Sequence, residues 1–212
     1  LPEEFPMVLT VFMAMGAWRI SRARVLTRRA AAIETLGSAT VLCSDKTGTL
    51  TENRMAIAEL RVMNGASFRP PRAHDLPLPE EFHALLEFGL LASAREPVDP
   101  MEKAIDEFGR RYLAATEHVH GPEWSLARAY GLRPGLLAMS HAWKTADGRR
   151  EFVVATKGAP EAVADLCHLG TEDLALVTQS VDAMAADGLR LLGVARATFV
   201  GETWPDSQHD FS

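Results

Sequence analysis

A short apolar run that ends on one carboxylate is the feature that most constrains the fold of this chain. Residues 40–44 read Thr-Val-Leu-Cys-Ser, and Asp45 follows them. A run of this length and composition is expected for a strand buried in a parallel sheet. In open α/β sheets, ligands bind at the carboxyl ends of such strands. The pattern therefore predicts an α/β unit with Asp45 at its binding edge.

The loop after Asp45 offers the groups that phosphoryl chemistry needs. Lys46 brings a positive charge, Gly48 permits a close turn, and hydroxyl groups come from three threonines, Thr47, Thr49 and Thr51. A carboxylate in this position can attack a phosphoryl group and form an aspartyl-phosphate, a step that relies on positioning and on Mg²⁺. The sequence lacks the pattern G-x-x-x-x-G-K-[ST], which excludes a P-loop NTPase. An acidic residue in an ordinary threonine-rich turn is the alternative.

Composition is that of an ordinary folded protein. Of the 212 residues, 47% are apolar and 24% are charged, which excludes disordered and collagen-like chains. A net charge of −6 argues against a broad nucleic-acid surface. Cys43 and Cys167 are the only cysteines and cannot form a disulfide framework, so a reducing compartment is expected. Cys43 is predicted to lie in the core.

The first thirty residues combine an apolar segment with a basic flank. Residues 7–18 carry no charge, and five arginines follow within eleven residues. This apolar segment is shorter than the 20 or so residues that span a bilayer, but the flank is typical of the cytoplasmic end of a membrane helix. A core helix and the second half of a membrane helix both remain open. Pro2 and Pro6 would break the helix, and Glu3 and Glu4 beside the freed carbonyls could bind a cation.

Beyond residue 55 the pattern predicts both helices and strands. Asp99 and Pro100 form a helix start, with Asp99 as the N-cap, and Asp147-Gly148 is a hairpin signal. Residues 201–212 read as a polar tail without a core segment. Helices are predicted to begin at Pro79 and Pro160 and to run over 100–113 and 172–186, and strands over 55–63, 136–145, 149–156 and 189–199.

Several motifs together resemble the P-type ATPases. The segment Asp45-Lys46-Thr47-Gly48-Thr49-Leu50-Thr51 resembles the phosphorylation signature of that family. Five further motifs follow the order of the family and cover most of the chain. They are Pro2-Glu3-Glu4-Phe5-Pro6, Glu34-Thr35-Leu36-Gly37, Asp99-Pro100-Met101-Glu102, Lys157-Gly158-Ala159-Pro160-Glu161 and Gly188-Leu189-Arg190.

The resemblance implies a role for each matching residue. Asp45 would be the phosphorylated nucleophile, and Asp45 with the backbone carbonyl of Thr47 would ligate Mg²⁺. Lys46 and Thr49 would hold the phosphoryl oxygens. For ATP, the implied contacts are Lys157 in the adenine pocket, Gly158 at a point of close ligand approach, Glu102 near the adenine and Arg190 near the phosphates. Glu3 would ligate the transported cation.

The adenine pocket departs from the family pattern. Many relatives carry a Phe and then a Lys ahead of a Met-Ser pair like Met139-Ser140, and here these positions fall on Leu132 and Leu137. The nearest aromatic residue is Tyr130. It either stacks on the adenine or packs within the sheet, and the sequence leaves both alternatives open.

The resemblance implies an α/β fold built in parts. An α+β nucleotide-binding domain with an antiparallel sheet and flanking helices would be inserted into a Rossmann-like HAD phosphorylation domain, present only in its first part and preceded by a truncated membrane helix. The implied ranges are 1–25 for the end of a membrane helix and its stalk, 26–54 for the first segment of the phosphorylation domain and 55–200 for the nucleotide-binding domain. Residues 201–212 would be the truncated start of the segment that leads back to the phosphorylation domain. The implied location is a bacterial inner membrane, with residues after about 20 in the cytoplasm.

The implied function is the catalytic middle of a cation pump of the calcium-like P2 type, driven by ATP with Mg²⁺. Its partners would be ATP, the cation and the remaining membrane and actuator parts, and no nucleic acid. A soluble HAD-type phosphohydrolase is one alternative, but those enzymes usually carry a second acid where Thr47 stands. A nucleotide-binding module without turnover is the other, and the isolated 212 residues are expected to bind ATP weakly and hydrolyse little.

Overall fold

A computed structural model describes residues 4–26, 29, 31–71, 76–114, 116–121, 123–145 and 151–211. The chain divides into two compact units, residues 1–52 and 53–212. The predictions for Pro2, Glu3 and the Asp147-Gly148 turn lie outside the described residues, as does the side chain of Glu34.

The first unit contains two helices, α1 (Glu4–Arg22) and α2 (Ala31–Gly37). Helix α1 buries none of its side chains. It ends at Arg22, and Arg24 just beyond it has a positive φ of 62°. Such a backbone conformation interrupts a right-handed helix. Among the helices that the structure describes, none is both long enough and apolar enough to cross a membrane.

The strand predicted over residues 40–44 does not form. This segment has no regular secondary structure, and the side chains of Val41, Leu42 and Cys43 are exposed. A strand needs a neighbouring strand to take its backbone hydrogen bonds, and no strand occurs in the described part of residues 1–52. The prediction that Cys43 lies in a core is wrong for the same reason.

The second unit is built on a four-stranded antiparallel sheet. Its strands are β3 (Ser125–Tyr130), β4 (Ala138–Lys144), β5 (Glu151–Gly158) and β6 (Gly193–Val200), in the spatial order β3-β4-β5-β6. The sequence predicted the last three of these strands. A separate two-stranded hairpin pairs β1 (Leu60–Arg61) with β2 (Ser67–Phe68), so the strand predicted over 55–63 forms only in part.

Four helices accompany the sheet in the described part of this unit. They are α3 (His83–Leu91), which follows a 3₁₀ turn at Glu80–Phe82, α4 (Pro100–Tyr112), α5 (Pro160–Leu166) and α6 (Thr171–Ala186). The predicted cap is confirmed, because Asp99 Oδ1 accepts a hydrogen bond from the Met101 N–H at 2.7 Å. After α6, Gly188 has a φ of 74°, a conformation that favours glycine and ends helices.

The two faces of the sheet carry different packing. Alternate residues of a strand point to opposite faces, so Ala155 packs with Leu91 of α3 and with Trp143 on one face. On the other face, Val154 packs with Tyr130 and other apolar residues, and α5 covers the sheet near Ala138 and Ala195. A fourth cluster joins the β1–β2 hairpin to α3 and α4 through residues Leu60, Phe82, Leu86, Ile105, Phe108 and Leu113.

The segment after β6 is part of the core, contrary to the prediction of a polar tail. Phe211 is buried against Tyr130 and Val154, and Trp204 stacks on Phe199 with ring centroids 5.0 Å apart. Gln208 is buried and its Oε1 accepts a hydrogen bond from Ser140 Oγ at 2.5 Å. The sequence pattern missed this because single apolar residues spaced along an irregular segment have no periodicity.

Candidate functional site

A buried lysine joins three elements of the second unit. Lys157 of β5 is only 5% exposed. Its Nζ donates to Ser93 Oγ, just after α3, at 2.7 Å and to Glu102 Oε1, on α4, at 2.5 Å. The side chain of Glu102 is itself 14% exposed. The structure therefore brings together Lys157 and Glu102, which the sequence predicted as ATP contacts, and adds Ser93.

Local structure fixes each partner of this group. Lys157 shares its face of the sheet with Ala155, which packs against α3. The Asp99 cap begins α4 at Pro100, which puts Glu102 in the first turn of that helix, where the helix dipole stabilises a carboxylate. Ser93 donates from its Oγ to the carbonyl of Gly89 at 2.7 Å, so its orientation is set by α3.

Burial changes the ionisation of Lys157. Removal from water lowers its pKa below the ordinary value, and the hydrogen bond and charge of Glu102 act in the opposite direction. An ammonium that is buried without a partner is costly, whereas one with an ion-pair partner and a second acceptor is tolerated. The group therefore offers a desolvated cation, a carboxylate and a hydroxyl within one small region.

His141 is a further polar residue on this face that sequence reasoning did not single out. It lies on β4 two residues after Met139, which pairs with Lys157. Its Nδ1 donates to the carbonyl of Leu91 at 3.1 Å, since a carbonyl oxygen can only accept. Burial lowers the pKa of His141, the bond to Leu91 opposes this, and the charge of Lys157 lowers it further. In the neutral ring, Nε2 is then left as an acceptor.

Tyr130 lies on the opposite face from Lys157. It pairs with Ser140, which pairs with Thr156, and residues 156 and 157 point to opposite sides. The ring is buried with Phe211 edge-on, and the hydroxyl donates to the Pro205 carbonyl at 2.7 Å. Of the two alternatives, packing within the sheet is the one that fits this geometry. Burial also raises the pKa of Tyr130.

Packing within the sheet explains the glycine at position 158, whereas the resemblance implies that it allows a ligand to approach closely. A Cβ at this position would lie 2.3 Å from the Leu137 carbonyl oxygen and 2.5 Å from Ala138 Cα. Those atoms are backbone and cannot move aside easily. The approach of β4 to the end of β5 therefore requires glycine here, whether or not a ligand approaches as well.

The one remaining predicted ATP contact is exposed, and so are the two leucines at the divergent positions of the adenine pocket. Arg190 lies in the loop between α6 and β6 and is solvent-exposed. Leu132 and Leu137, which stand where many relatives carry Phe and Lys, are 62% and 56% exposed. The structure does not join Arg190 to the Lys157 group by a hydrogen bond or ion pair among the described residues.

The loop around Asp45 belongs to the first unit. Asp45 is exposed, and its Oδ1 accepts from the Thr47 N–H at 3.4 Å. The loop closes where the Thr51 N–H donates to the Lys46 carbonyl at 3.1 Å, and Gly48 supplies a φ of 79° at the bend. The side chains of Lys46 and Thr49 are exposed. The predicted catalytic residues thus share one tight turn.

The donor set of this loop agrees with the metal that the resemblance implies. Mg²⁺ takes hard oxygen ligands, and it usually binds one or two carboxylates together with water and substrate phosphates. Asp45 supplies a carboxylate and Thr47 a backbone carbonyl on one turn. In the part of the chain that the structure describes, no group of three or more His, Cys, Asp or Glu side chains is arranged to hold a metal ion.

His118 and His120 both contact one carboxylate of α3. His118 Nδ1 lies 2.7 Å from Glu87 Oε2, and His120 Nε2 lies 2.6 Å from Glu87 Oε1. Because each ring uses a different carboxylate oxygen, the three side chains form a hydrogen-bonded bridge. The bridge ties the segment after α4 to α3.

The residues that sequence reasoning missed, Ser93 and His141, share one property. Neither belongs to a motif, and Ser93 is 64 residues from Lys157 in the sequence. No local signal distinguishes such a serine from an ordinary helix-end residue, because only the packing of α3 on the sheet makes it a partner of the lysine.

Comparison with known proteins gives no match to a family model but finds relatives along nearly the whole chain. The chain is 31% identical to the probable cation-transporting ATPase F of Mycobacterium tuberculosis over 95% of its own length. It is 33% identical over 92% of its length to a putative cation-transporting ATPase of Methanocaldococcus jannaschii. It is 30% identical over 96% of its length to plasma membrane ATPase 2 of Schizosaccharomyces pombe.

These relatives are much longer than the chain. The aligned part makes up 25% of the mycobacterial protein, 22% of the archaeal one and 19% of the yeast one. The chain therefore spans about a quarter or less of the curated relatives that it matches.

Proposed function

The chain belongs to the P-type cation-transporting ATPases, and from this premise we propose that it carries the ATP-binding and phosphorylated parts of such a pump. Residues 55–200 are the nucleotide-binding domain in this proposal, and residues 26–54 are the first segment of a HAD-type phosphorylation domain. Residues 1–25 are the end of a membrane helix with its stalk, and residues 201–212 lead back toward the phosphorylation domain. The transported ion is a cation, and calcium, protons, sodium or another cation would all fit this proposal.

The observation that carries the nucleotide assignment is the buried group of Lys157, Glu102 and Ser93. A carboxylate accepts a hydrogen bond from the exocyclic amine of adenine, and an ammonium donates to its ring nitrogens or to phosphate oxygens. Such contacts are stronger in a desolvated site. Arg190, in an exposed loop, is free to meet phosphates that extend out of the site.

The proposed reaction is transfer of the γ-phosphoryl group of ATP to Asp45. A carboxylate oxygen of Asp45 forms a bond to the γ-phosphorus, the bond from that phosphorus to the β–γ bridging oxygen breaks, and ADP leaves. Lys46 and the hydroxyl of Thr49 stabilise the charge on the phosphoryl oxygens. Thr47 occupies the position where a second acid would promote hydrolysis, so the aspartyl-phosphate persists long enough for transport.

Asp45 and the Thr47 carbonyl would hold Mg²⁺. When bound, the ion neutralises negative charge on the phosphate oxygens. What the chain itself does there is to keep the carboxylate and the carbonyl on one turn, which Gly48 and the bond from Thr51 to Lys46 close. Glu3 is proposed as a ligand of the transported cation, which is a substrate of the pump.

For the 212 residues alone, nucleotide binding without turnover is a second candidate. It is favoured by the exposure of Asp45 and of all the residues of its loop. Phosphoryl transfer needs preorganised groups around the nucleophile, and an exposed turn does not provide them. We therefore propose that this chain binds ATP and hydrolyses it slowly or not at all. Substantial steady-state ATP hydrolysis by the purified chain would contradict this.

The test is titration of the chain with ATP by calorimetry, alone and with Lys157→Ala. Loss of a charge-assisted hydrogen bond costs about 1.5–3 kcal/mol, so we expect an affinity at least ~10-fold lower in the variant. Lys144→Ala is the matched control, because Lys144 lies on the neighbouring strand β4 and is exposed. It should bind ATP as the unsubstituted chain does.

Folding has to be separated from binding, since Lys157→Ala leaves Glu102 buried without its cation. The double variant Lys157→Met with Glu102→Gln removes both charges and preserves volume. We expect it to unfold at a temperature near that of the unsubstituted chain and yet to bind ATP weakly. Unchanged ATP affinity in this folded double variant would overturn the nucleotide assignment.

A further inference from the structure

Lys157 has two partners, and only Glu102 belongs to a motif that points to the nucleotide. An ammonium has three N–H donors, of which one goes to Glu102 Oε1 and one to Ser93 Oγ. The third is not engaged by any hydrogen bond in the described residues. Ser93 is only 5% exposed, so removal of its hydroxyl would leave the buried ammonium with one acceptor fewer.

The Ser93 hydroxyl is fixed in one orientation. Its single proton is used in the 2.7 Å bond to the Gly89 carbonyl, so its lone pairs are the part that remains for Lys157. Ser93 also follows directly on the C-cap of α3, Ala92, where the helix dipole is negative and favours a cation. Both features orient the Ser93 oxygen as a hydrogen-bond acceptor for the Lys157 ammonium.

We propose that Ser93 is a positioning residue of the ATP site, whose hydroxyl, locked by the Gly89 carbonyl, holds the Lys157 ammonium against Glu102 and leaves one N–H for the nucleotide. This inference rests on the proposed nucleotide-binding function. Ser93 acts through Lys157 and does not need to touch ATP itself.

The charged and titratable groups around Lys157 come from each element packed beside it. Helix α4 brings Glu102 and its cap Asp99, both of which favour the ammonium. Strand β4 brings His141. The positive charge of Lys157 lowers the pKa of His141 and so disfavours a positive charge on its ring. On β6, Arg196 lies on the same face two residues beyond the partner of Lys157, over the ring of Phe88. On α3, Glu87 is already engaged by His118 and His120.

Because burial already lowers the pKa of Lys157, the loss of an acceptor should lower it further. A lower pKa means that the ammonium loses its proton at a lower pH. The alkaline decline of ATP affinity should therefore move to lower pH when the Ser93 hydroxyl is removed. A serine that only filled space would not shift this decline.

The experiment measures the Kd for ATP of the 212-residue chain and of Ser93→Ala, Ser93→Cys and Ser93→Thr between about pH 7 and pH 10. We expect Ser93→Ala and Ser93→Cys to bind about tenfold more weakly, with the alkaline decline at lower pH. Cysteine keeps the shape of serine but is a weak acceptor. Ser93→Thr keeps the hydroxyl and should retain the original affinity and pH dependence.

Ser140→Ala is the matched control. Ser140 is also a buried serine with a bonded hydroxyl, but it lies on the opposite face of the sheet with Thr156 and Gln208. It should lower stability and leave the pH dependence of ATP binding unchanged. Equal Kd values and pH profiles for the unsubstituted chain, Ser93→Ala and Ser93→Cys would overturn the proposed role of Ser93 and leave the proposed ATP-binding function standing. Absence of saturable ATP binding by the unsubstituted chain would overturn the proposed function, and this inference with it.

Discussion

At the scale of single residues, Glu59 shows how a charge is kept inside this protein. Its side chain is 1% exposed, and its oxygens accept hydrogen bonds from Arg61 at 2.5 Å and from Arg69 at 2.8 Å. Burial raises the pKa of Glu59, but these two arginines lower it more, and the net effect is a pKa below the ordinary 4.5. Glu59 therefore stabilises the fold in its ionised form.

We expect Glu59→Gln to lower the free energy of unfolding at neutral pH by about 1.5 kcal/mol. This is the lower end of the range for hydrogen bonds to charged groups, because Arg69 is largely exposed and its charge is screened by solvent. A carboxyl whose pKa is depressed by folding contributes fully above its unfolded pKa, and this contribution is lost as the pH falls through the folded value. The difference from the unsubstituted chain should thus shrink below about pH 4.5. Urea unfolding across this range measures it.

Glu107→Gln, on the exposed side of α4, is the control and should change the free energy of unfolding little at any pH. If Glu59→Gln were equally destabilised at neutral and acidic pH, ionisation of Glu59 would not be the cause. Packing of the side chain would then explain the loss.

At the scale of elements, the segment 201–211 closes one face of the sheet. Phe211 contacts the rings of Tyr130 and Phe199 and is 7% exposed. Replacing a buried Phe by Ala removes its burial and leaves a cavity, so Phe211→Ala should lower the free energy of unfolding by about 3 kcal/mol. Val200→Ala, on the exposed end of β6, should stay within about 0.5 kcal/mol. Equal effects in denaturant unfolding would show that the segment does not support the sheet.

At the scale of the whole molecule, residues 53–212 form a compact unit of their own. Their apolar clusters and the group of Lys157, Glu102 and Ser93 all lie within this unit. We expect a chain limited to residues 53–212 to unfold cooperatively in calorimetry and to bind ATP with the Kd of the full chain. A weaker Kd in the shorter, folded chain would mean that residues 1–52 contribute to binding.

The sequence by itself determined the features that depend on neighbouring residues. The Asp99 cap, the helix starts at Pro100 and Pro160 and the alternation along β4 and β5 act within a few positions, so their signals are complete in a short window. The motifs also indicated Lys157 and Glu102 before the structure joined them. The chemistry expected at Asp45 likewise came from a continuous string.

Only the tertiary structure decided which distant residues meet. Ser93 becomes a partner of Lys157 because α3 packs on the sheet, and Tyr130 faces away from Lys157 because the strand register sets it on the opposite face. The strand expected at 40–44 does not form without a partner strand. Gln208 and Phe211 of the segment 201–211 are buried because they pack on an apolar face of the sheet. Burial and strand pairing depend on contacts between remote parts of the chain, which no local pattern encodes.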